Sequence, residues 1–293
     1  MKTLKEIIKE AEDGKVAVGH FNVSDCVGVK AIFGAAQALN LPVIIGVSEG
    51  ERDFIGVKRI ASTVKSIREE FDYPIYLNAD HTHSFEKIKE AVEAGFDAVL
   101  FDGGKLPLEE NIKQTKEVVE YVRSVAVGRG TEILIEGELG YIGGSSSLLE
   151  NIPEGAQINE KDLTTIEEAA RLVKETGIDL LAPAVGNLHG ILKNAPQPNL
   201  NIERIKAIGE AAGIPIVLHG GSGVSDEEFL AAINAGISII HINTELRLAW
   251  RTAMEESLKS RPNEIVPYKI LPAVVEKMKE ITAARMRLFN KMI

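Results

Sequence analysis

The chain has very little cysteine, no surplus of positive charge and no long apolar run. Its 293 residues include one cysteine, Cys26, which excludes an intramolecular disulfide framework and favours a reducing compartment. Lys and Arg number 33 against 43 Asp and Glu, a formal net charge of −10, and phosphate-backbone binding needs clustered positive charge. Apolar runs such as LPVIIGV are far shorter than the ~20 residues of a membrane span, and the charged amphipathic start is unlike a signal peptide. We therefore expect a cytoplasmic protein without nucleic-acid or membrane partners, and a small, buried thiol.

The sequence is rich instead in short apolar runs that alternate with longer helical patterns, with no Pro/Ser-rich linker between them. The predicted strands are Val16–Asn22, Pro42–Ser48, Ile75–Asp80, Ala98–Gly103, Glu132–Leu139, Leu180–Gly186, Pro215–Gly221 and Ser238–Thr244. Their near-continuous apolar character is typical of strands covered on both faces. The helical patterns include SFEKIKEAVEAG, TIEEAARLVKETG, IERIKAIGEAAG and SDEEFLAAINAG, which all end at Gly as capped helices do.

About eight strand–helix units predict an α/β fold, a single (β/α)8 TIM barrel over residues 1–293. A doubly wound open sheet is the alternative, but it usually has fewer strands, and no G-x-G-x-x-G follows the first one. Extra C-terminal helices occupy about residues 262–293. Their apolar stripe is expected to pack against the barrel or a second subunit, and we expect a homodimer or homotetramer.

The longest irregular segment is Gly140–Leu163, between the fifth strand and its helix. A loop of this length in a compact domain is usually functional or disordered. It starts with small residues at the end of a barrel strand where active sites lie, which favours a mobile lid over a simple insertion.

The six histidines fall near or just beyond the ends of predicted strands. They are His20, His81, His83, His189, His219 and His241. In a barrel these ends converge on the mouth where active sites lie. A single histidine at a strand end is more often a hydrogen-bonded structural residue than a ligand, but three on different strands can meet at one ion.

A divalent metal site is predicted at His81, His189 and His219, which follow or end the third, sixth and seventh strands. Neutral imidazoles suit Zn²⁺, and three protein ligands leave a coordination position for substrate. Glu138, on the fifth strand, is either a fourth, exchangeable oxygen ligand or a salt-bridge partner at the barrel mouth.

A glycine-rich turn, HGGSG, leaves the seventh strand and leads into a helix. Small residues let backbone N–H groups approach an anion, and barrel phosphate sites often follow strands seven and eight. Tight turns use the same residues, so the motif alone is a weak signal. The predicted cradle consists of Gly220, Gly221 and Ser222, completed by Gly190, Lys193 and Thr244.

Seven short motifs occur in order along nearly the whole chain: FNVSD, VSEG, ADH, EGELGYIGG, GNLHG with a following Lys, HGGSG and NTELR. Together they resemble the class II, metal-dependent fructose-bisphosphate and tagatose-bisphosphate aldolases. The resemblance implies zinc at the three histidines with Glu138 as alternative ligand, and Asp80 as general acid/base. It implies that Asn22 and Ser48 contact the substrate and that the cradle holds the phosphate of a dihydroxyacetone phosphate moiety. It also implies a monovalent cation, Na⁺ or K⁺, held by backbone carbonyls nearby.

The implied chemistry is reversible aldol cleavage of a ketose bisphosphate, with fructose 1,6-bisphosphate as the expected substrate. A divalent ion stabilises the enediolate as a Lewis acid, and a carboxylate takes the proton from the hydroxyl that becomes the aldehyde. No Schiff-base lysine is then required, and strand-terminal lysines are absent. Tagatose bisphosphate or another ketose phosphate is an alternative substrate.

The chain departs from the family pattern in the lid. Family members commonly place acidic residues right after the lid's Gly-Gly, where one is thought to move the proton at the enediolate carbon. Here Ser145, Ser146 and Ser147 follow instead. Glu150 or Glu154 is a candidate substitute, or the step is slow or different.

Two further assignments are also open: the residue of the last strand that contacts the substrate, and the cation that binds the distal phosphate. In the family, Lys-x-Asn usually precedes the final T-[DE]-L-R motif. Here His241 replaces this substrate-contacting Asn, unless Asn243 has its role. Candidates for the distal phosphate are Arg52, Arg285 and Arg287, of this subunit or a neighbouring one, and each has a solvated surface arginine as its alternative explanation.

Two other functions compete with an aldolase. Metal-dependent hydrolysis would use Asp80 to activate a bound water, but the phosphate cradle argues against it. A non-catalytic sugar-phosphate binding protein is favoured by the lid serines and by His241.

Overall fold

The computed structural model describes residues 1–144 and 146–292, and within them eight parallel strands close into a barrel. The barrel strands are β1 Val18–Asn22, β2 Val43–Val47, β3 Ile75–Thr82, β4 Ala98–Phe101, β5 Leu134–Leu139, β7 Leu180–Pro183, β9 Ile216–Leu218 and β10 Ile237–Ile242. Neighbours in the barrel are also neighbours along the chain, and β10 pairs with β1 to close it. The predicted TIM barrel is confirmed, and each predicted strand overlaps an observed one.

The helices surround the barrel. They are α1 Leu4–Gly14, α2 Cys26–Leu39, α3 Glu49–Ile55, α4 Val57–Phe71, α5 Phe85–Ala94, α6 Leu108–Arg129, α7 Ile166–Thr176, α8 Ile202–Ala212, α9 Asp226–Ala235, α10 Thr244–Ser260, α11 Pro267–Ile270 and α12 Pro272–Phe289. The predicted caps form: Thr165 and Glu168 make a capping box on α7, and Gly177 ends that helix in the left-handed region. Among the described residues, no helix combines the length and the hydropathy needed to cross a membrane.

Alternate residues of each barrel strand face opposite sides, and the inward-facing series changes character along the barrel axis. At the amino ends of the strands the inward residues are apolar, for example Val18 and Ile239, and they pack with Leu4 and Ile8 of α1. Two residues further along, the same faces of β1 and β10 carry His20 and His241, which are both buried. The side-chain period of a strand is two, so the same inward-facing series continues along each strand. The barrel interior is therefore apolar near the amino ends of the strands and polar near their carboxyl ends.

The C-terminal helix α12 packs on α2 and α10. Val274 and Met278, two members of the predicted apolar stripe, are buried against this surface. Cys26 opens α2 and is exposed, so the expectation of a buried thiol is wrong.

The long segment after β5 contains local structure in its described part. Leu148–Leu149 (β6) pairs with Ile191–Leu192 (β8), which belongs to the loop after β7, and a 3-10 turn spans Glu160–Asp162. Lys193 forms an ion pair with Glu150 beside this ribbon. The two loops are thus joined over the barrel mouth, and the mobility of the lid stays a prediction. Ser145 lies outside the described residues.

Arg52 joins β2 to β3 from inside the protein, although the sequence suggested a phosphate ligand or a surface residue. Its side chain is only 1% exposed. The guanidinium donates to the carbonyls of Val47 (2.6 Å) and Asp80 (3.0 Å) and to Thr82 Oγ1 (2.9 Å). Both candidate roles are wrong for Arg52, because its donors already bind the carboxyl ends of two strands.

We expect Arg52→Ala to lower the free energy of unfolding by about 2–4 kcal/mol, since it leaves buried carbonyls unpaired and creates a cavity. Chemical denaturation monitored by circular dichroism measures this change. The matched control is Arg287→Ala, at an exposed arginine of α12, which should stay within about 0.5 kcal/mol of the wild type. Equal stability of both variants would contradict the structural role of Arg52.

Candidate active site

The carboxyl ends of β3, β7 and β9 bring three imidazoles together. His81 Nε2 lies 3.1 Å from His219 Nδ1, and the centroid of the His189 ring is 4.6 Å from that of His81. One ring nitrogen from each histidine lies within 4.8 Å of the other two. His81 itself sits where the β3–β4 pairing shifts between Ala79 and Thr82, with a φ of +35°. Such an irregularity redirects a side chain next to a strand end.

In each of these three rings, the nitrogen that faces away from the shared centre contacts an oxygen atom. His81 Nδ1 lies 2.9 Å from Asp102 Oδ2, His189 Nδ1 donates to the Gly143 carbonyl at 2.7 Å, and His219 Nε2 lies 2.7 Å from Glu136 Oε1. Oxygen partners of this kind fix the tautomer and orientation of metal-binding histidines. The residues present therefore fit a divalent metal ion, with one nitrogen of each ring left for the shared centre.

The charge balance of the cluster also favours a cation. Burial raises the pKa of Glu138, and the nearby Asp102 carboxylate raises it further. Burial opposes the charged form of His81, but Asp80 and Glu138 outweigh burial and raise its pKa well above the usual value. Burial lowers the pKa of His189 to about 3, reinforced by His81 and His219, so this ring is neutral and able to act as a ligand.

Glu138 occupies the other side of His81 from the three-histidine centre. Its Oε2 lies 3.3 Å from His81 Nδ1, the nitrogen that also faces Asp102. Within the described residues this buried oxygen has no hydrogen-bond partner of regular geometry. The geometry matches the salt-bridge alternative for Glu138, and its role as an exchangeable metal ligand stays a prediction.

Asp80, the predicted acid/base, is buried beside the three imidazoles. Asn22 donates to its Oδ2 at 2.8 Å, and His81 Nε2 lies 3.8 Å from its Oδ1. Burial raises the pKa of Asp80, but the attraction of His81 and a contact with His241 outweigh burial, so its pKa lies well below the usual value. The carboxylate is therefore ionised and able to accept a proton.

A wide cavity of about 410 Å³ opens above this cluster. Among the predicted residues it is lined by Ser48, Asp80, His81, Glu138, His189 and Asn243. A much smaller recess beneath it is lined by Asn22, Gly190, Gly220, Ser222, His241 and Thr244, together with the three histidines and Asp80. Gly221 and Lys193 line neither space: the Gly221 N–H donates to the His241 carbonyl, and Lys193 pairs with Glu150.

The predicted phosphate cradle has a defined backbone shape. Gly190 and Gly220 have positive φ values of 96° and 63°, and a Cβ on Gly220 would lie 2.5 Å from the Leu188 carbonyl oxygen, so both positions require glycine. Ser222 Oγ accepts from the N–H groups of Asn243 (3.3 Å) and Glu245 (3.2 Å), which joins the loop to the start of α10. The loop and the helix N-terminus thus form one wall of the recess.

Sequence reasoning missed several residues of the site. Asp102 and Glu136 orient histidines, while Lys105, Tyr141 and Arg247 line the wide cavity. The signal for Asp102 was its place at the carboxyl end of the predicted strand Ala98–Gly103. Glu136 shares the inward face of β5 with Glu138, so the period of two could have found it.

The comparisons with known proteins agree with this geometry. The model of the family "Fructose-bisphosphate aldolase class-II" matches residues 2–292. The chain is 38% identical over 291 residues to the fructose-bisphosphate aldolase of Geobacillus stearothermophilus, covering 98% of this chain and 96% of that protein. It is 36% identical to the 6-phospho-5-dehydro-2-deoxy-D-gluconate aldolase of Bacillus licheniformis, covering 98% and 94%. The crystal structure of the YdjI aldolase from Escherichia coli K12 superposes with a TM-score of 0.79 at 28% identity, covering 98% and 96%.

Fold and site together define a metal-dependent carbon–carbon lyase built on a TIM barrel. The chain belongs to the class II fructose-bisphosphate aldolase family, which confirms the resemblance and the prediction of an enzyme.

We expect Glu136→Gln to weaken zinc binding by about 10- to 100-fold, because a neutral amide orients His219 less firmly than a carboxylate. Competition of the apoprotein against a chromophoric chelator measures the affinity. Glu132→Gln is the matched control, since Glu132 lies two residues before the same strand and pairs only loosely with Lys5 (3.4 Å). An unchanged zinc affinity in Glu136→Gln would contradict the orienting role.

Proposed function

We propose that this protein catalyses zinc-dependent, reversible aldol cleavage of fructose 1,6-bisphosphate to dihydroxyacetone phosphate and glyceraldehyde 3-phosphate. The observation that carries the proposal is the convergence of three oriented imidazoles beside an ionised, buried Asp80. His81, His189 and His219 would hold the ion, with Glu138 as an alternative ligand. Bound there, zinc supplies Lewis-acid stabilisation of the negative charge that develops on the ketone half during cleavage.

Asp80 acts on the aldehyde half of the substrate. In the cleavage direction its carboxylate takes the proton from the hydroxyl of the carbon that becomes the aldehyde, and in synthesis it returns that proton. Asn22 supports this role because it holds Oδ2 at 2.8 Å and leaves Oδ1 facing the imidazoles. Asn22, Ser48 and either His241 or Asn243 are proposed to contact the substrate.

The phosphate of the ketone half is proposed to bind in the recess. Gly190, Gly220, Ser222 and Thr244 line it, and Gly221 and Lys193 lie on the same loops. A monovalent cation, Na⁺ or K⁺, held by backbone carbonyls here is part of the proposal. Lys193 would have to exchange its ion pair with Glu150 for the phosphate.

The cation for the distal phosphate is better sought at Lys105 and Arg247 than at the arginines suggested by the sequence. Arg285 is bound to Glu245 (2.8 Å) and Asp226 (2.7 Å), and Arg52 is buried as described. Lys105 and Arg247 both line the wide cavity. Arg247 also pairs with Glu51 (2.6 Å) and donates to the Ser146 carbonyl (2.9 Å), so it would have to exchange these contacts for the phosphate. Lys105 Nζ lies 4.3 Å from the centre of the Tyr141 ring, which also lines this cavity.

The substrate is the least constrained part of the proposal. The relatives named for fructose bisphosphate and for a phosphorylated deoxygluconate match this chain at 38% and 36% identity, so identity does not select between the two. Tagatose bisphosphate and other ketose phosphates are the alternatives, and a non-catalytic binding role remains the alternative of a different class. Glu150 pairs with Lys193, and it is a candidate for the acid that the lid lacks after Gly144.

We further propose a cytoplasmic homodimer or homotetramer in which residues 1–293 act as one barrel domain, with a helical extension from about residue 262. The single cysteine and the net charge of −10 support this setting. The packing of α12 on α2 and α10 supports one domain.

Asp80→Asn tests the proposed mechanism. We expect kcat for fructose 1,6-bisphosphate to fall by on the order of 10³-fold, since the amide cannot take the proton, while the zinc content stays at the wild-type level. Coupled detection of triose phosphate and metal analysis measure the two quantities. Asp13→Asn, at an exposed residue of α1, is the control. If the zinc-loaded wild type cleaves no ketose phosphate, the function itself is refuted.

Lys105→Met tests the distal phosphate. We expect KM for fructose 1,6-bisphosphate to rise by about tenfold, the loss of about 1.4 kcal/mol, with no comparable change for fructose 1-phosphate. Arg247→Met is tested in parallel, and Lys65→Met, at an exposed lysine of α4, is the control. An equal rise in KM for fructose 1,6-bisphosphate and fructose 1-phosphate would exclude these cations as distal ligands. An unchanged KM for both substrates in the Lys105 and Arg247 variants alike would exclude them as well.

A further inference from the structure

Two buried histidines, His20 and His241, are stacked face to face in the floor of the site. They are register partners on β1 and β10, and their ring centroids lie 3.4 Å apart with the planes within 5°. Gly46 of β2 makes room for the pair, because a Cβ at that position would lie 2.0 Å from His20 Cε1. Asn78 on β3 holds the far side of the pair, with Nδ2 3.2 Å from His20 Nε2. The His20 ring is thus fixed between two strands and a neighbouring ring.

His241 is the member of this pair that reaches the catalytic carboxylate. Its Nδ1 lies 3.3 Å from Asp80 Oδ1. Among the described residues, neither ring nitrogen of His241 nor Asp80 Oδ1 has a hydrogen bond of regular geometry. Leaving such buried atoms unpaired is destabilising, and catalytic hydrogen bonds are often long before substrate binds. A small rotation of the ring or the carboxylate would pair two of these atoms with each other.

We propose that His241 is a positioning residue for Asp80: its Nδ1–H donates to Oδ1 in the catalytic state, and the stacked His20 ring holds it in place. The inference rests on the proposed function, because it assumes that Asp80 is the acid/base. Asn22 then fixes one carboxylate oxygen and His241 the other, and the remaining lone pair of Oδ1 is directed at the substrate hydroxyl.

The proposed role concerns only the proton on oxygen. When the carbon–carbon bond breaks, its electron pair stays with the ketone half, and the hydroxyl proton passes to Asp80 as the aldehyde carbonyl forms. The ketone half later takes a proton at carbon, a separate step for which Glu150 is the candidate acid. Misorientation of Asp80 should therefore slow turnover more than it weakens substrate binding.

Two replacements of the same residue separate positioning from packing. His241→Phe keeps a flat ring on His20 but has no donor, and we expect kcat to fall by on the order of 10²-fold with KM within about threefold of the wild type. His241→Asn can place its amide Nδ2 near the position of Nδ1, and we expect kcat within about tenfold of the wild type. His20→Ala removes the support under His241, and we expect kcat about tenfold lower with KM unchanged.

Zinc affinity and melting temperature are measured for every variant, because the His241 ring also lies 3.9 Å from that of His219. Unchanged zinc affinity with the expected kcat series supports the proposal. Wild-type kcat in His241→Phe, equal losses in the Phe and Asn variants, or a loss that follows zinc affinity would overturn it. If His241→Phe does not fold, an unchanged kcat in His20→Ala overturns it instead.

The same measurements distinguish this inference from the proposed function. If the zinc-loaded wild type does not cleave a ketose phosphate, the proposed function fails, and the positioning role fails with it. If the wild type cleaves the substrate but the variants do not follow the expected order, only the positioning role is wrong.

Discussion

The period of two along parallel strands, combined with closure of the sheet, is the constraint on which the site depends. It forces every second residue of eight strands into one enclosed space. Near the amino ends that space is filled by residues such as Val18 and Ile239 with the apolar face of α1. Near the carboxyl ends the same positions are polar, so imidazoles and carboxylates remote in sequence come into contact with one another.

That enclosure determines the electrostatics. Four carboxylates lie around the three convergent imidazoles: Asp80, Glu136 and Glu138 are buried, Asp102 is partly exposed, and water therefore screens them little. Carboxylates buried in this way require compensating positive charge. Against the effect of burial, the neighbouring carboxylates raise the pKa of His81 and of His219, and a divalent ion would also supply positive charge. His20, His189 and His241 remain neutral because burial lowers the pKa of each ring. The cluster thus contains the three histidines that could hold a metal ion and, stacked beside them, the pair His20 and His241.

The barrel strands and the helices between them could be predicted from the sequence, since they follow local apolar patterns and several helices carry capping residues. The convergence of His81, His189 and His219 followed from their places at strand ends. The sequence did not predict the features that depend on contacts with a neighbouring strand. From the sequence, Arg52 was a phosphate candidate or a surface residue. It is buried instead, because carbonyl groups at the carboxyl ends of β2 and β3 accept hydrogen bonds from its guanidinium. The stack of His20 on His241 depends on the register between the first and last strands, which no local pattern reports.

X-ray absorption spectroscopy of the zinc-loaded protein reports the atoms bound to the ion and so tests whether the three histidines hold it. We expect three imidazole nitrogens at about 2.0–2.1 Å, with the remaining position filled by oxygen. Substitution of any one of the three histidines should remove one imidazole from the spectrum. A shell made of oxygen alone, or one that keeps three imidazoles after His219 is replaced, would contradict the account.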